Sequence, residues 1–127
     1  KWGSAMDHWK LCDSEYRFMC QVWDSEPVPS GALVEQCARN LGWKKSTTYT
    51  MVKKLAQKGL LKNENAVVSA LVPQEAVQAG ESAAFVERTF GGSLPAFLAA
   101  FMGGRKLDKE EAQAIRQLID TYEEEEA

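Results

Sequence analysis

A basic helical pattern followed at once by two short β-compatible runs, between Trp43 and Val72, limits the fold of this chain more than any other feature. Apolar side chains recur there at i, i+3, i+4 and i+7, which predicts a helix with one buried face formed by Thr48, Met51, Val52 and Leu55. Ser46 is suited to cap this helix, and Gly59 is suited to the left-handed conformation that ends one. We therefore expect a helix from about residue 47 to residue 58.

The opposite face of this helix carries hydroxyls, one aromatic ring and several ammonium groups. Such groups contact base edges and phosphates in protein–DNA complexes. Residues of the first turns are predicted to read bases, and lysines further along to position the helix on the DNA backbone. The predicted base-reading residues are Thr47, Tyr49 and Thr50, and the predicted positioning residues are Lys53, Lys54 and Lys58. The full set of predicted DNA-binding residues is Lys45, Ser46, Thr47, Tyr49, Thr50, Lys53, Lys54, Lys58, Asn63 and Asn65.

A small β-hairpin is predicted directly after the basic helix. Residues 60–62 and 66–72 are the two β-compatible runs, and Asn63, Glu64 and Asn65 between them tolerate the backbone angles of a turn. A hairpin in this position forms the wing of a winged helix. We expect the turn of this wing to approach a groove next to the one that the helix enters.

The distribution of charge supports a polyanionic partner. Arg39 to Lys62 contains seven basic residues and no Asp or Glu, a local charge of +7, although the whole chain carries −3. From Asn63 onward, twelve acidic residues outnumber five basic ones. Double-stranded DNA would be attracted to the first segment and repelled by the second. Two alternatives are a lysine-rich face that is merely solvated and a winged-helix interaction module that binds an acidic protein.

Two more helices are predicted before the basic one. Asp13 or Ser14 is suited to cap the first, which reaches about residue 25, and Ser30 is suited to cap the second, which reaches about residue 40. Only a short turn that contains Gly42 separates the second helix from the basic one, as is typical of a helix-turn-helix. Trp43 in this turn either covers the core or lies against a sugar-phosphate backbone. The predicted fold is mainly α with a small β-wing: a tag remnant or disordered segment at residues 1–6, and a winged helix-turn-helix at residues 7–73.

A helical dimerisation domain is predicted for residues 74–127. Its expected helices cover residues 74–89 with a break at Gly80, residues 94–102 after a Ser93 cap, and a segment that opens at Asp108. These short helices carry more apolar surface than they can cover for one another, so a second copy of the chain is the expected partner. The alternative is packing on the winged-helix domain. The predicted dimerisation residues are Phe90, Leu94, Phe97, Leu98, Phe101, Ile115, Leu118, Ile119 and Tyr122.

Catalysis is not expected. His8 is the one histidine, and the chain has no nucleophile motif, metal-ligand cluster or phosphate-binding glycine loop, so neither a cofactor nor a metal is predicted. Cys12, Cys20 and Cys37 are odd in number and lack CxxC spacing, which favours reduced thiols. The absence of a long apolar run and of a leader pattern predicts a cytoplasmic protein that does not bind a membrane.

Three segments, SEYRFMCQVW, KKSTTYTMVKKLAQKGLL and FGGSLPAFLAAF, resemble the penicillinase-repressor (BlaI/MecI/CopY) family of bacterial transcriptional regulators. The resemblance extends in order from about Cys12 to Asp120. It implies an N-terminal winged helix, a C-terminal helical dimerisation region and binding to inverted-repeat operators. Tyr49 stands where the repressors of the resistance branch usually have Arg. The positions that the family uses for base and backbone contacts correspond to Ser46, Thr47, Tyr49, Thr50, Lys53 and Lys54.

The resemblance also bears on induction. Repressors of the resistance branch are inactivated when a sensor-linked metalloprotease cuts an Asn-Phe bond in the dimerisation region. The matching pair here is Ala100–Phe101, which keeps the Phe but not the Asn. The resemblance thus implies a sensor-linked protease as a partner and this bond as its cleavage site. The copper-responsive branch has a cysteine-rich C-terminal motif, and no cysteine follows Cys37, so metal sensing of that type is not expected.

Overall fold

The computed structural model describes residues 10–124 of the chain. The predicted segment at residues 1–6 and His8 lie outside the described residues. Helices dominate, and one small antiparallel sheet accompanies them, which confirms the predicted fold class. The elements in chain order are α1 (Asp13–Ser25), β1 (Val28–Pro29), α2 (Ser30–Leu41), α3 (Lys45–Gln57), β2 (Leu61–Glu64), β3 (Val67–Ala70), α4 (Gln74–Phe90), α5 (Leu94–Met102) and α6 (Lys109–Tyr122).

The core lies among α1, α2, α3, the first turns of α4 and the sheet. Each helix contributes apolar residues three or four positions apart, because 3.6 residues complete one helical turn. The Trp43 ring stacks on the Phe18 ring, with ring centroids 5.8 Å apart and an interplanar angle of 1°. Trp43 therefore packs on the core, in agreement with the first of its two predicted positions. The fully buried residues of this core include Phe18, Met19, Val22, Leu33, Cys37, Leu55, Leu60, Val68 and Val77.

The wing is part of a three-stranded sheet with strand order β1-β3-β2. Glu64 pairs with Val67, so the hairpin turn contains only two residues. Asn65 and Ala66 both have positive φ, at 53° and 61°, as a type I′ turn requires. The predicted turn at residues 63–65 is therefore displaced: Asn63 and Glu64 belong to β2. Ala66 has no turn preference of its own, which is why the sequence did not reveal its role.

Backbone contacts tie the wing to α2. The N–H of Ser30 donates to the carbonyl of Ala66 at 2.8 Å, and Val28 and Pro29 pair with β3. Strand β1 was not predicted, because it has two residues and ends in proline. These contacts fix the wing beside the start of α2.

Several predicted helix ends are wrong. Cys12 rather than Asp13 or Ser14 is the N-cap of α1, Pro29 rather than Ser30 is that of α2, and Lys44 rather than Ser46 is that of α3. The predicted break at Gly80 is also wrong, because α4 continues through this glycine, which is buried. A glycine inside a helix costs about 1 kcal/mol relative to alanine, which packing can offset.

The N-caps of the last two helices are confirmed. Ser93 Oγ accepts a hydrogen bond from the N–H of Ala96 at 3.1 Å, and Asp108 Oδ1 accepts one from the N–H of Glu111 at 2.8 Å. Each side chain satisfies a backbone donor that the first helical turn leaves free.

The chain divides into two compact units between Gly92 and Ser93. Helix α4 belongs to the first unit and is held against α1. The side-chain amides of Gln74 and Gln78 each donate to the Tyr16 hydroxyl at 3.3 Å, and the N–H of Leu11 donates to Glu81 at 3.3 Å. The division thus falls after α4, whereas the sequence placed a domain boundary before it, at residue 73.

Candidate nucleic-acid interface

Helix α3 has one buried and one exposed face. Thr48, Val52 and Leu55 are buried, as the apolar spacing predicted, and Met51 is half-buried. Successive residues of a helix are about 100° apart, so burial of this stripe turns the remaining positions outward. Lys58, also predicted on this helix, is exposed and is its C-cap. The other candidates predicted on the helix are exposed residues of α3: Lys45, Ser46, Thr47, Tyr49, Thr50, Lys53 and Lys54.

The exposed face offers hydrogen-bonding groups beside positive charge. Ser46, Thr47, Thr50, Met51 and Lys54 line a depression of about 290 Å³. Hydroxyls both donate and accept hydrogen bonds, so this surface is able to contact either donors or acceptors on base edges.

The start of α3 carries its aromatic ring. Tyr49 is 39% exposed, and the Lys45 ammonium lies 6.0 Å from the centroid of its ring. The phenol is thus presented to solvent next to a positive charge.

Two of the predicted positioning lysines contact a buried carboxylate. Lys58 Nζ donates to Glu15 Oε2 at 2.8 Å, and Lys54 Nζ lies 3.1 Å from the same oxygen. Glu15 is only 2% exposed, and its Oε1 accepts a hydrogen bond from the N–H of Cys12 at 2.9 Å. Burial alone would raise the pKa of Glu15, but Lys58, the Cys12 N–H and Lys54 outweigh it and lower the pKa to about 2.

Glu15 was not predicted from the sequence to be a member of this site. Glu15 is one of several acidic residues near the start of the chain, so its charge alone does not single it out. Its partners Lys54 and Lys58 are 39 and 43 positions away in the sequence. One signal was present: Glu15 follows Cys12 by three residues, the spacing of a capping box. This spacing would have placed the start of α1 correctly, though not the contact with α3.

The buried side of α3 contains one polar defect. The Thr48 hydroxyl is fully buried and has no hydrogen-bond partner. Burial raises the pKa of the neighbouring Cys37 thiol of α2, and the Thr48 hydroxyl offsets only part of this rise; the approach of hydroxyl to thiol does not meet the geometry of a hydrogen bond. Cys37 is consequently a protonated, buried thiol.

The wing has little net charge at its tip. Asn63 in β2 and Asn65 in the turn are both exposed, so their amides are available to a partner. Lys62 Nζ lies 3.8 Å from the Glu64 carboxylate, which offsets the positive charge of this lysine.

The predicted dimerisation residues are divided between the two units. Phe90 is the last residue of α4, where its ring centroid lies 6.0 Å from that of Phe85. The other eight lie in α5 and α6, and no residue of these two helices is buried. Large apolar side chains are exposed there: Leu94, Phe101, Leu118, Ile119 and Tyr122.

The Ala100–Phe101 bond lies inside α5, and both residues are exposed. The guanidinium of Arg105 donates to the carbonyl of Phe101 and lies 5.1 Å from the centroid of its ring. The predicted cleavage site is therefore accessible but helical.

Within residues 10–124, no group of three or more His, Cys, Asp or Glu side chains is arranged to hold a metal ion. No helix in this range is long and apolar enough to cross a membrane.

Three packed helices, a short turn between the second and the third, and a hairpin wing define a winged helix-turn-helix protein. The family model described as penicillinase repressor matches residues 11–121. The penicillinase repressor of Bacillus licheniformis is similar to this chain, with 20% identity over 117 residues that cover 89% of this chain and 91% of that protein. The chain belongs to the penicillinase repressor family, whose members are regulatory proteins rather than enzymes.

Proposed function

We propose that the protein is a dimeric DNA-binding transcriptional repressor that recognises an inverted-repeat operator. The observation that carries this proposal is the exposed face of α3, where hydroxyls, the Tyr49 phenol and lysines are presented together within a segment of charge +7. Membership of the penicillinase repressor family supports the same function.

Base reading is assigned to Thr47, Tyr49 and Thr50, which are exposed in the first two turns of α3. Lys45 and Lys53 are exposed on the same helix, and their ammonium groups are suited to phosphates on either side of a major groove. Asn65 at the tip of the wing, which is exposed, is assigned a contact in an adjacent groove.

Dimerisation is assigned to the second unit. Its two helices bury no residue, and exposed Leu94, Phe101, Leu118, Ile119 and Tyr122 need cover from water. A twofold symmetric dimer presents two copies of α3, so its operator would contain two half-sites about 34–36 Å apart or a multiple of this distance.

The DNA-binding part of the proposal is tested with a library of inverted repeats, retained by the protein at two salt concentrations and then sequenced. We expect enrichment of a twofold symmetric sequence, with an affinity that falls steeply as salt rises. Weak and equal binding to all DNA would refute operator recognition and favour an acidic protein as the partner.

Two variants then separate the roles of the residues. Lys53→Ala should weaken binding to the operator and to random DNA by similar factors, because a phosphate contact carries no sequence information. Thr50→Ala should weaken binding to the operator more than binding to random DNA. Equal losses on both DNAs for both variants would contradict this division of roles.

Dimerisation is tested by sedimentation of the full chain. Leu118→Glu should shift the protein toward monomer, because it places a charge within the apolar surface of α6. Gln117→Glu introduces the same residue at the neighbouring exposed position and should leave the dimer intact. A wild-type protein that sediments as a monomer at tens of micromolar would refute this part of the proposal.

A further inference from the structure

The buried carboxylate of Glu15 holds two ammonium groups of the helix that is proposed to enter DNA. It lies in the first turn of α1, and its two oxygens contact the Cys12 N–H and the ammonium groups of Lys54 and Lys58. Side chains of these lysines are 53% and 40% exposed, whereas that of Glu15 is 3% exposed. The lysines are thus open to solvent on one side and bound to a fixed negative charge on the other.

Helical geometry separates these lysines from Lys53. Neighbouring positions on a helix point about 100° apart, so Lys53 and Lys54 leave α3 in different directions. Lys54 and Lys58, four positions apart, lie on the same side, which is the side that contacts α1. Among residues 10–124, no acidic side chain forms an ion pair with Lys53. Lys53 is therefore suited to be the control for its neighbour.

A buried partner restrains a lysine more than an exposed one does. Salt screens a pair of exposed charges over roughly 8–10 Å, but it screens a partly buried pair much less. If a DNA phosphate took these lysines, the Glu15 carboxylate would stay buried without its ammonium partners. An uncompensated buried charge has a large cost in free energy, which opposes this exchange. Lys54 and Lys58 are consequently poorer phosphate ligands than their exposure suggests.

We propose that Glu15 is a specificity-determining residue, because it withholds Lys54 and Lys58 from phosphates and so limits binding to DNA of unrelated sequence. This inference rests on the proposed DNA-binding function. Binding to random DNA comes almost entirely from neutralised phosphates, whereas operator binding also draws on base contacts. In a base-specific complex α3 is fixed in the groove, but on random DNA the protein reorients until any free ammonium meets a phosphate. Release of the two lysines therefore strengthens random binding more than operator binding.

The test measures affinity for a random-sequence duplex across a salt series, with the full chain carrying Glu15→Gln. The glutamine keeps the size of the side chain and its acceptor for the Cys12 N–H, and it removes the charge. Each lysine that gains a phosphate adds about 0.9 to the magnitude of the slope of log K against log salt. The proposed dimer carries two such lysines in each protomer, so we expect the slope to steepen by up to about 3.6, and random affinity to rise roughly fivefold to tenfold for each released lysine that meets a phosphate near 0.1 M salt. Operator affinity should rise less, so the ratio of specific to random affinity falls.

A double-mutant cycle that combines Glu15→Gln with Lys54→Gln tests whether the Lys54 ammonium is the group that gains a phosphate. In the Glu15→Gln background, Lys54→Gln should reduce the magnitude of the slope by up to about 1.8, which is about 0.9 for each protomer of the dimer, and in the wild-type background it should reduce it by much less. Lys53→Gln, one position away, should reduce the slope by a similar amount in both backgrounds. Lys54→Gln and Lys53→Gln effects that are equal in the wild type would overturn the proposal, and so would an unchanged slope in folded Glu15→Gln.

The outcomes distinguish this inference from the function on which it rests. Wild-type protein that binds no DNA overturns both. Wild-type protein that prefers the operator and binds it with a steep salt dependence, together with additive lysine effects, retains the repressor function and overturns the role of Glu15. If circular dichroism shows that Glu15→Gln does not fold, the comparison of Lys54→Gln with Lys53→Gln in the wild-type background decides the matter alone.

Discussion

Replacement of Thr48 by valine should stabilise the protein, because this threonine buries a hydroxyl that has no hydrogen-bond partner. Leaving such a group unsatisfied costs about 1–3 kcal/mol. Valine has nearly the same shape as threonine, and the two residues have similar helix propensities, so neither packing nor α3 itself opposes the change. The expected gain in the free energy of unfolding is about 1–2 kcal/mol, which corresponds to a rise in Tm of roughly 4–8 °C.

Urea unfolding followed by circular dichroism, at a fixed protein concentration, measures this gain. Thr47→Val and Thr50→Val are the matched controls, because both residues are exposed on the same helix; each should change stability by less than about 0.5 kcal/mol. Thr48→Val should also leave operator affinity unchanged, since the hydroxyl faces the core. A loss of stability of about 1 kcal/mol or more would refute the reasoning, and would show that the hydroxyl is satisfied in solution, for example by the Cys37 thiol beside it.

Two further predictions concern α1 and the wing. Because the pKa of Glu15 is lowered from 4.5 to about 2, its ionised form adds stability at neutral pH that is lost as the pH falls from about 4.5 to 2, an effect of about 3 kcal/mol. The free energy of unfolding, measured between pH 2 and pH 7, should fall less at low pH in Glu15→Gln than in the wild type. An identical pH dependence in the two proteins would contradict the lowered pKa of Glu15. Ala66→Gly should stabilise the protein by about 0.5 kcal/mol, because glycine accepts the positive φ at less cost than alanine. The control is Ala56→Gly in α3, where the same substitution inside a helix should destabilise the protein by about 1 kcal/mol. A similar loss of stability in Ala66→Gly would argue against the type I′ turn.

Helices whose apolar residues recur at every third or fourth position could be predicted from the sequence. Burial of Thr48, Val52 and Leu55 fixes the rotation of α3, and the identity of its exposed residues follows from that rotation. Ends of elements were harder, because Cys12 and Lys44 are N-caps without the usual residue preference, and Ala66 adopts a positive φ that its side chain disfavours. In these cases the tertiary structure determines the local conformation.

The electrostatics of the candidate site could be predicted only in part. Sequence counting gave seven positive charges between Arg39 and Lys62, but it could not show that Glu15, from a different helix, lies against two of them. Pairing between residues so distant in the chain depends on how α1 crosses α3. No local pattern encodes that crossing.

This pairing changes what the charge of the segment implies for DNA binding. If all seven basic residues of each protomer met phosphates, a dimer would make up to about 14 such contacts, and the slope of log K against log salt would approach about −13. With Lys54 and Lys58 held by Glu15, the upper limit is about 10 contacts and a slope near −9. The positive segment is then sufficient to attract the protein to DNA, while a smaller share of the binding free energy is independent of sequence. A larger share is left to the hydroxyls and the phenol on the outer face of α3, whose contacts with bases determine which sequence is bound.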